Sequence, residues 1–435
     1  MAYVGARTAV ASGLGRRSPP PSTPRFDPRA LTPKPSLVSW LINWILDDPR
    51  WVFALLRRFA PILVFKGWGL VTRYDDVEDM LRRNQVFAVP FGPKIELLNG
   101  GPNFLLGMDD GPDYQRLHGP VAQAFPPTDG ASIVAPFSAS LAADLVAQSG
   151  GRLDAIETLI TLVPTRVCEH YYGVRVADEL RFAQLTIAMS TFMFGDPTDD
   201  PTIRDQAVKA GDEFRPIIDA AIAAARAEPG SRDTIAKRLL AERMPDGEPL
   251  SDPTIASILI GMITGFVPTN TMAAGHMLEM LLRRPRFMEQ ASAAARAGDD
   301  DLLWRCLWES FRFKPLNPGP FRVCAEDAVV AAGTPRARTI VKGTQLLVGT
   351  QSAMFDPRRI PQPNVFDPSR QQDNYMMFGV GLHWCIGASL AQAQVTQTLK
   401  PLLLQRNLRR APGAAGRLST YGPFPAHLVV EFDPS

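Results

Sequence analysis

The chain is poor in cysteine, and its cysteines do not follow a disulfide or zinc pattern. The four cysteines, at positions 168, 306, 324 and 385, form no CxxC pair and no zinc-type spacing. Disulfides are therefore not expected, and a reducing cytoplasm fits this usage best. The chain also lacks a large charge of one sign, because 46 basic and 44 acidic residues leave a formal net charge of +2. Nothing therefore indicates nucleic acid as a partner.

The N-terminal region lacks a long hydrophobic run. Residues 1–35 are rich in proline, arginine and serine, have no apolar signal-peptide core, and are predicted to form a flexible tail. Residues 37–46 are apolar but too short to span a bilayer, so no membrane span is predicted here. This segment could lie on a membrane surface through Trp40, Trp44 and Trp51, or dock on the protein body as an amphipathic helix.

The composition is that of a large globular protein. The 435 residues are 46% hydrophobic and 21% charged, which is enough chain for a large core. The pattern near the start predicts two short strands joined at Gly67. A helix from Asp75 to Asn84 follows, with Asp75 or Asp76 as its cap. Residues 85–112 are rich in glycine and proline and are predicted to be a loop.

Helix dominates the remainder of the pattern. Residues 112–276 are mainly helical in periodicity. Strand-like runs follow at residues 328–332 and 346–350, and the alternating sequence of residues 426–432 predicts one more strand near the C-terminus. The chain is therefore expected to be mainly α, with a minor β portion near each end.

The most distinctive stretch is a glycine-rich loop that presents one cysteine. Residues 378–387 read Phe-Gly-Val-Gly-Leu-His-Trp-Cys-Ile-Gly and lead directly into an apolar helical segment. The free N–H groups and the positive dipole at a helix N-terminus stabilise a thiolate at Cys385. Gly379, Gly381 and Gly387 allow positive φ and a close approach to a flat partner. Such a thiolate suits a single axial ligand for haem iron, whereas the alternative is a buried structural cysteine.

This loop resembles the haem-binding loop of the cytochromes P450, in particular the soluble, bacterial-type members. The resemblance implies the P450 fold as a single large domain over residues 36–435, with haem b as the cofactor. It implies that Cys385 is the iron ligand and that Phe378 lies over the sulfur side. It also implies that His383 reaches a haem propionate.

A second motif supports this resemblance. Glu309 and Arg312 lie three residues apart in a predicted helix and so share one face. Taken alone the pair is weak evidence, because solvated pairs at this spacing are common and contribute only about 0.3–0.5 kcal/mol. It matches the Glu-x-x-Arg motif of the P450s, which binds an arginine upstream of the cysteine loop. The resemblance thus implies a structural triad of Glu309, Arg312 and Arg370.

Haem propionates need cationic or hydrogen-bonding partners, because a buried carboxylate is costly when unpaired. By resemblance, Arg322 stands where the family has a propionate arginine, and His383 is a second partner. Residues 113–118 resemble the family's Glu-His-x-Arg-Leu-Arg segment, with Tyr114 and His118 in place of its usual donors. His118 is charged only conditionally, and a surface histidine is the alternative interpretation.

A long apolar helix predicted over residues 255–284 departs from the family pattern. Its residues 265–270 align with the oxygen-activating stretch Ala-Gly-x-(Asp/Glu)-Thr-Thr of the P450s. Pro268 replaces the acid that helps to deliver protons for O–O cleavage, and proline is also expected to kink the helix. Thr269 keeps a hydroxyl, and Asn270 adds an amide that could orient an oxygen atom but is not an acid. Thr269 and Asn270 are the candidate catalytic residues.

Three functions are open at this point. The first is a monooxygenase of secondary metabolism that oxidises a hydrophobic small molecule with O2 and electrons from a separate ferredoxin or flavodoxin-type protein. Its protons would then come from a water chain or the substrate. The second is a hydroperoxide isomerase or peroxygenase, since P450s of that kind also lack the standard acid and alcohol. The third is a non-catalytic haem-binding protein.

The resemblance also implies an apolar substrate pocket, as expected for a hydrophobic substrate. Each of its candidate wall residues could equally be plain core. They are Phe87, Phe192, Phe194, Met262, Phe266 and Phe424. Several arginines flank the cysteine loop in sequence and would attract an acidic electron donor, or are ordinary solvated charge. They are Arg358, Arg359, Arg370, Arg406, Arg409 and Arg410.

Overall fold

The structure, a computed structural model, describes residues 48–433, in which helices dominate. The predicted tail over residues 1–35 and the segment 37–46, with Trp40 and Trp44, lie outside the described residues. In chain order the helices are α1 (Arg50–Phe59), α2 (Tyr74–Arg82), α3 (Gly92–Asn99), α4 (Pro112–Ala124), α5 (Ala135–Gln148), α6 (Leu162–Val167), α7 (Glu179–Ser190), α8 (Pro201–Ala227), α9 (Ile235–Ala241), α10 (Asp252–Arg283), α11 (Pro285–Ala297), α12 (Asp300–Phe313), α13 (Thr350–Ala353) and α14 (Ala388–Leu403).

The strands make up the minor part of the fold. They are β1 (Ile62–Phe65), β2 (Trp68–Val71), β3 (Phe87–Ala88), β4 (Arg152–Asp154), β5 (Phe321–Cys324), β6 (Ala328–Val330), β7 (Arg338–Ile340), β8 (Gln345–Val348), β9 (Arg406–Arg410), β10 (Ser419–Tyr421), β11 (Phe424–His427) and β12 (Val429–Asp433). The largest sheet has the order β1-β2-β8-β5-β3, in which only β2 and β8 pair in parallel. A second sheet has the order β4-β12-β9, and β6-β7 and β10-β11 are separate pairs. The prediction of a mainly helical chain with minor β structure is confirmed.

Helix α10 forms the centre of the molecule. Its 32 residues span about 48 Å, and it packs against α7, α8, α12 and α14. The Ser251 hydroxyl caps its start by accepting the Thr254 N–H. The helix continues through Pro268 without interruption, since packing along both halves outweighs the one backbone hydrogen bond that proline removes. The predicted helix is therefore present, beginning at Asp252 rather than at residue 255.

Within residues 48–433, two stretches are apolar and long enough to cross a membrane by length and composition alone. They are α10 and Gly130–Gln148. In α10, 78% of the most apolar 18-residue segment is buried inside the protein, as expected of a core helix.

The first hairpin agrees with the prediction, but the neighbouring helix is capped differently. Lys66 and Gly67 join β1 and β2 with φ of 47° and 79°, which suits a tight hairpin turn. Helix α2 begins after Arg73 with no side-chain cap, so the prediction of Asp75 or Asp76 as the cap was wrong. Asp76 instead receives two hydrogen bonds of 2.9 Å from the Arg336 guanidinium.

Two other element predictions were wrong. The predicted loop over residues 85–112 contains β3, α3 and a short 3-10 turn, because Pro93 begins a helix that the left-handed Gly100 ends. The predicted strand over residues 426–432 is two strands separated by Leu428. The Leu428 backbone binds the end of β4 instead of a sheet partner. Its N–H donates to the Asp154 carboxylate, and its carbonyl accepts from the Ala155 N–H.

The position of β5 depends on a close backbone contact at Gly319. A Cβ built on Gly319 would lie 1.8 Å from the carbonyl oxygen of Val348. The Val348 N–H also donates to the Pro320 carbonyl at 3.0 Å. The chain therefore passes directly against the end of β8 before it places Arg322 on β5.

Replacing Gly319 with alanine is expected to destabilise the protein strongly, because the methyl group would overlap backbone atoms that have little room to move. We expect a loss of roughly 3 kcal/mol or more of unfolding free energy in urea titrations. Gly119→Ala is the matched control, since a Cβ there meets nothing within 4 Å on α4. It should be neutral or stabilising by about 0.5–1 kcal/mol. Equal effects of the two changes would contradict the close contact.

Candidate active site

The cysteine loop folds back on itself before α14 begins. The Cys385 N–H donates to the Phe378 carbonyl at 2.8 Å. Gly379 and Gly381 have φ of 80° and 73°, as predicted from their positions. Gly387, at the N-cap of α14, has a φ of −88° and so does not adopt the positive φ predicted for it. Its role differs from the prediction: the Gly387 N–H donates to the Cys385 sulfur.

The Cys385 side chain is half-buried, but protein surrounds its sulfur closely enough to change its acidity. Burial raises the pKa of the Cys385 thiol, although the Gly387 N–H acts in the opposite direction. The Gly387 N–H thus acts in the direction predicted for the helix N-terminus, and burial acts against it. A buried sulfur becomes a thiolate when a positive group such as a metal ion binds it.

Aromatic stacking connects the cysteine loop to α12. The Phe378 ring stacks on Trp308 with centroids 4.4 Å apart, and its other contact is Trp384 at 6.2 Å. Trp308 precedes Glu309 on α12. The loop that carries the cysteine is thus packed on the helix that carries the second motif.

The second motif is a fully buried ion pair. Arg312 donates from Nε to Glu309 Oε2 at 2.9 Å and from Nη2 to Oε1 at 2.7 Å, and both side chains are 0% exposed. Arg312 Nη1 donates to the Met354 carbonyl at 3.1 Å. Arg370 Nε lies 3.8 Å from Glu309 Oε1. The structure thus brings the three triad residues together.

Two further groups complete this network and were not identified from the sequence. The Tyr375 hydroxyl donates to Glu309 Oε2, and the Asp367 N–H donates to Oε1 at 3.2 Å. Burial, together with the Glu309 charge, raises the pKa of Tyr375. Tyr375 precedes the cysteine loop closely in sequence, but a lone tyrosine there carries no signal of its role.

A cationic side chain, Arg322, and a neutral imidazole, His383, lie near the cysteine loop. The Arg322 Nε and the His383 Nε2 are buried and make no hydrogen bond within the described residues. Burial lowers the pKa of Arg322 to about 10, although Asp109 opposes this. Burial, reinforced by the charge of Arg322, lowers the pKa of His383 to about 4. An anion placed between these groups would be strongly favoured.

The two predicted donors on α4 are arranged differently. The Tyr114 hydroxyl donates to the Leu382 carbonyl at 3.1 Å, so it holds the cysteine loop instead of facing an open site. His118 is exposed and stacks on the Tyr114 ring at 5.5 Å. Tyr114 also contacts the His383 ring edge at 6.3 Å. Of the three predicted partners of the haem propionates, Arg322 and His383 fit that role best.

Helix α10 presents one accessible stripe in an otherwise buried stretch. Between Ser257 and Leu281, only Gly261, Gly265 and Thr269 are not buried. They are spaced four residues apart and so lie on one face of the helix. A Cβ on Gly261 would lie 2.5 Å from the Phe104 ring, so the open part of the stripe is at Gly265 and Thr269. A Cβ on Gly265 would meet nothing within 4 Å, which indicates open space.

The two candidate catalytic residues lie on different faces of this helix. Thr269 is on the accessible stripe, and its hydroxyl donates to the Gly265 carbonyl. Asn270 is next to it on the buried side, where its Nδ2 makes no hydrogen bond within the described residues. The structure therefore brings Thr269, but not Asn270, to the open stripe.

The candidate pocket residues divide into groups. Phe194 lines a cavity of about 150 Å³ that also reaches Arg322, and the buried Phe192 lies beneath Lys94 at 4.2 Å. Met262 and Phe266 belong to the same apolar cluster as Phe192. Sequence reasoning missed Lys94, whose ammonium donates to the Phe192 carbonyl at 2.9 Å and whose pKa is lowered by burial.

Two predicted wall residues lie elsewhere. Phe87 is fully buried in the separate cluster beneath the large sheet, so its assignment to the pocket was wrong. It is held there because β3 pairs with β5 at Cys324. Phe424 lies buried on β11, next to Pro425, which would contact a Cβ on Gly275 of α10.

These features define a haem-thiolate site. The Cys385 sulfur, the open stripe on α10 and the unpaired nitrogens of Arg322 and His383 suit the axial ligand, face and propionates of a haem. The residues present therefore fit this group.

Comparison with known proteins identifies the family. The Cytochrome P450 family model matches residues 181–415, more than half of the chain. Erythromycin C-12 hydroxylase of Saccharopolyspora erythraea is 26% identical over 370 residues, covering 85% of this chain and 86% of the relative. Mycinamicin IV hydroxylase/epoxidase of Micromonospora griseorubida is 27% identical over 369 residues, covering 82% of this chain and 85% of the relative. The structure of Cytochrome P450 CYP109Q5 from Chondromyces apiculatus superposes with a TM-score of 0.73 at 24% identity. The match covers 89% of this chain and 96% of that one.

The chain belongs to the cytochrome P450 family. It is a haem-thiolate oxidoreductase of the monooxygenase class, with the P450 fold as a single domain.

The buried ion pair on α12 generates a stability prediction. Glu309→Gln should cost about 3–5 kcal/mol of unfolding free energy, because it leaves the buried Arg312 charge uncompensated. Urea unfolding of the purified protein, with haem content measured in parallel, checks this value. Glu78→Gln is the control, since its exposed pair with Arg82 should contribute no more than about 1 kcal/mol. Similar losses in both variants would contradict the structural importance of the buried pair.

Proposed function

We propose that this P450 monooxygenase uses haem b and O2 to oxidise a hydrophobic small organic molecule, with electrons from a separate ferredoxin or flavodoxin-type protein. The observation that carries the proposal is the buried Cys385 sulfur together with the accessible stripe of α10. Haem, when bound, supplies the iron chemistry that reduces and cleaves dioxygen. In this proposal Cys385 is the axial ligand, while Arg322 and His383 hold the propionates.

Thr269 is the proposed proton-handling residue of the distal side. Its hydroxyl lies on the accessible stripe and donates to the Gly265 carbonyl, which leaves its oxygen lone pairs free to accept from water. The buried Pro268 has no proton to give. Protons therefore reach the site through water or a substrate hydroxyl that Thr269 orients.

The walls near the site support a hydrophobic substrate. Phe194, Met193 and Phe321 line the cavity, while Met262 and Phe266 add apolar surface on α10. Two relatives are hydroxylases named for erythromycin and mycinamicin IV. A role in secondary metabolism, on an apolar natural product, is therefore proposed for this chain.

The electron donor would approach the sulfur side of the molecule. Trp384, next to Cys385, is 55% exposed and offers an apolar contact there. Most of the flanking arginines are already in ion pairs, including Arg358 with Asp356 at 2.9 Å and Arg410 with Glu279 at 2.9 Å. Docking is therefore expected to depend on shape and apolar contact more than on a strong basic field. The four free cysteines support a reducing cytoplasmic location.

Turnover with two oxidant systems tests this function. The holoenzyme with NADPH, a surrogate ferredoxin and its reductase should oxidise apolar macrocycles, with the label of 18O2 appearing in the product. Thr269→Ala should lower the product formed per NADPH by about tenfold or more. Thr264→Ala is the matched control, because that hydroxyl is buried and donates to the Ile260 carbonyl on another face of α10.

Other results would select the alternatives. Turnover by a hydroperoxide alone, lost in Asn270→Ala and unchanged in Thr269→Ala, would indicate an isomerase or peroxygenase. Failure of both systems over a broad substrate panel would indicate a non-catalytic haem protein.

A further inference from the structure

An apolar surface protrudes beside the start of the described chain. The exposed face of α1 carries Leu55 and Phe59, and the β1-β2 hairpin carries Leu63, Val64, Phe65 and Trp68. All six are exposed, Phe59 by 73% and Phe65 by 70%. We call these six residues the N-terminal apolar face. Contiguous apolar surface of this kind marks an interaction site.

Helix α1 exposes apolar side chains and buries one of its arginines. Leu55 and Phe59 are four residues apart and point outward together. Arg57 is buried instead, where it donates to the Ser352 carbonyl and hydroxyl at 2.8 Å. The helix therefore directs Arg57 to the protein interior and presents Leu55 and Phe59, beside the exposed Arg58, to the outside.

The hairpin is exposed on both of its sides. Successive residues of a strand point to opposite faces, yet Leu63, Val64 and Phe65 are all exposed. Strand β1 is also the edge of the large sheet. An apolar edge strand in water is a hazard that proteins normally blunt or cover. This edge is therefore expected to have a partner.

The charge of this region indicates the partner. Residues 49–73 contain five basic residues and no acidic residue. Two of these cations are exposed and lie next to the apolar face. Arg58 Cζ is 5.3 Å from the centre of the Phe59 ring, and Lys66 Nζ is 5.2 Å from the centre of the Phe65 ring. Aromatic side chains with adjacent cations suit the interface of a membrane that contains anionic lipid.

Two other occupants fit less well. A second copy of the chain, related by two-fold symmetry, would bring the same cations against each other. The neighbouring residues 37–46 contain no acidic residue, so they would leave Arg58 and Lys66 uncompensated.

We propose that the N-terminal apolar face, with Arg58 and Lys66, binds the surface of an anionic lipid bilayer without spanning it. The sheet order places the cavity-lining strand β5 three strands from β1, or about 14 Å. A bilayer at this face would therefore lie close to the cavity through which an apolar substrate must pass.

Vesicle co-sedimentation of the full-length holoprotein tests this proposal. The protein should bind vesicles of phosphatidylcholine with one quarter phosphatidylglycerol, and should bind pure phosphatidylcholine much more weakly. Phe59→Ser with Phe65→Ser should weaken binding by roughly tenfold or more. Arg58→Glu with Lys66→Glu should weaken it by at least about 25-fold, since each cation contributes about fivefold.

Matched variants control for general effects of the substitutions. Leu302→Ser with Val365→Ser removes exposed apolar residues elsewhere, and Arg296→Glu with Arg417→Glu reverses exposed cations elsewhere. Both controls should bind vesicles as the unchanged protein does. The haem absorption spectrum verifies that each variant is folded.

Three outcomes would overturn the proposal. The first is no binding to the anionic vesicles. The second is binding that the apolar-face variants leave unchanged, which would assign the contact to residues 37–46. The third is a dimer in light scattering that dissociates in Phe59→Ser with Phe65→Ser while vesicle binding is absent, which would assign the face to a second copy.

Discussion

The structure depends on polar groups around Cys385 that the chain itself leaves incompletely paired. Burial raises the pKa of the Cys385 thiol, and the buried Arg322 Nε and His383 Nε2 make no hydrogen bond within the described residues. Buried polar groups without partners destabilise a fold. In the proposed haem site, iron would favour the thiolate and the propionates would accept hydrogen bonds from Arg322 and His383. Cofactor binding and folding stability are therefore expected to be closely linked in this protein.

A rigid framework holds these groups in place. The Glu309 carboxylate receives hydrogen bonds from Arg312, Tyr375 and the Asp367 backbone, all close to the cysteine loop in space. Phe378 stacks on Trp308 of the same helix. The buried ion pair thus contributes less as a source of stability than as a way to fix the loop geometry. Helix α10 supplies the opposite wall with its single accessible stripe.

The sequence predicted the parts of this site that local patterns encode. The cysteine loop carries a spacing that is specific to its role, while the Glu309–Arg312 pair and the long apolar helix gain meaning from occurring with it. The capping of α2, the place of Phe87 and the engagement of Tyr114 with Leu382 were not predictable. Each depends on a partner far away in sequence, such as Arg336 for Asp76 or β5 for β3. Local propensity contains no information about such contacts.

The central claim is that Cys385 is the axial thiolate ligand of a haem. The absorption spectrum of the reduced protein with carbon monoxide tests it most directly. The account predicts the strongly red-shifted band of a thiolate-ligated haem, present in the unchanged protein and absent in Cys385→His. A band at the position of imidazole or thiol ligation in freshly prepared, unchanged protein would contradict it.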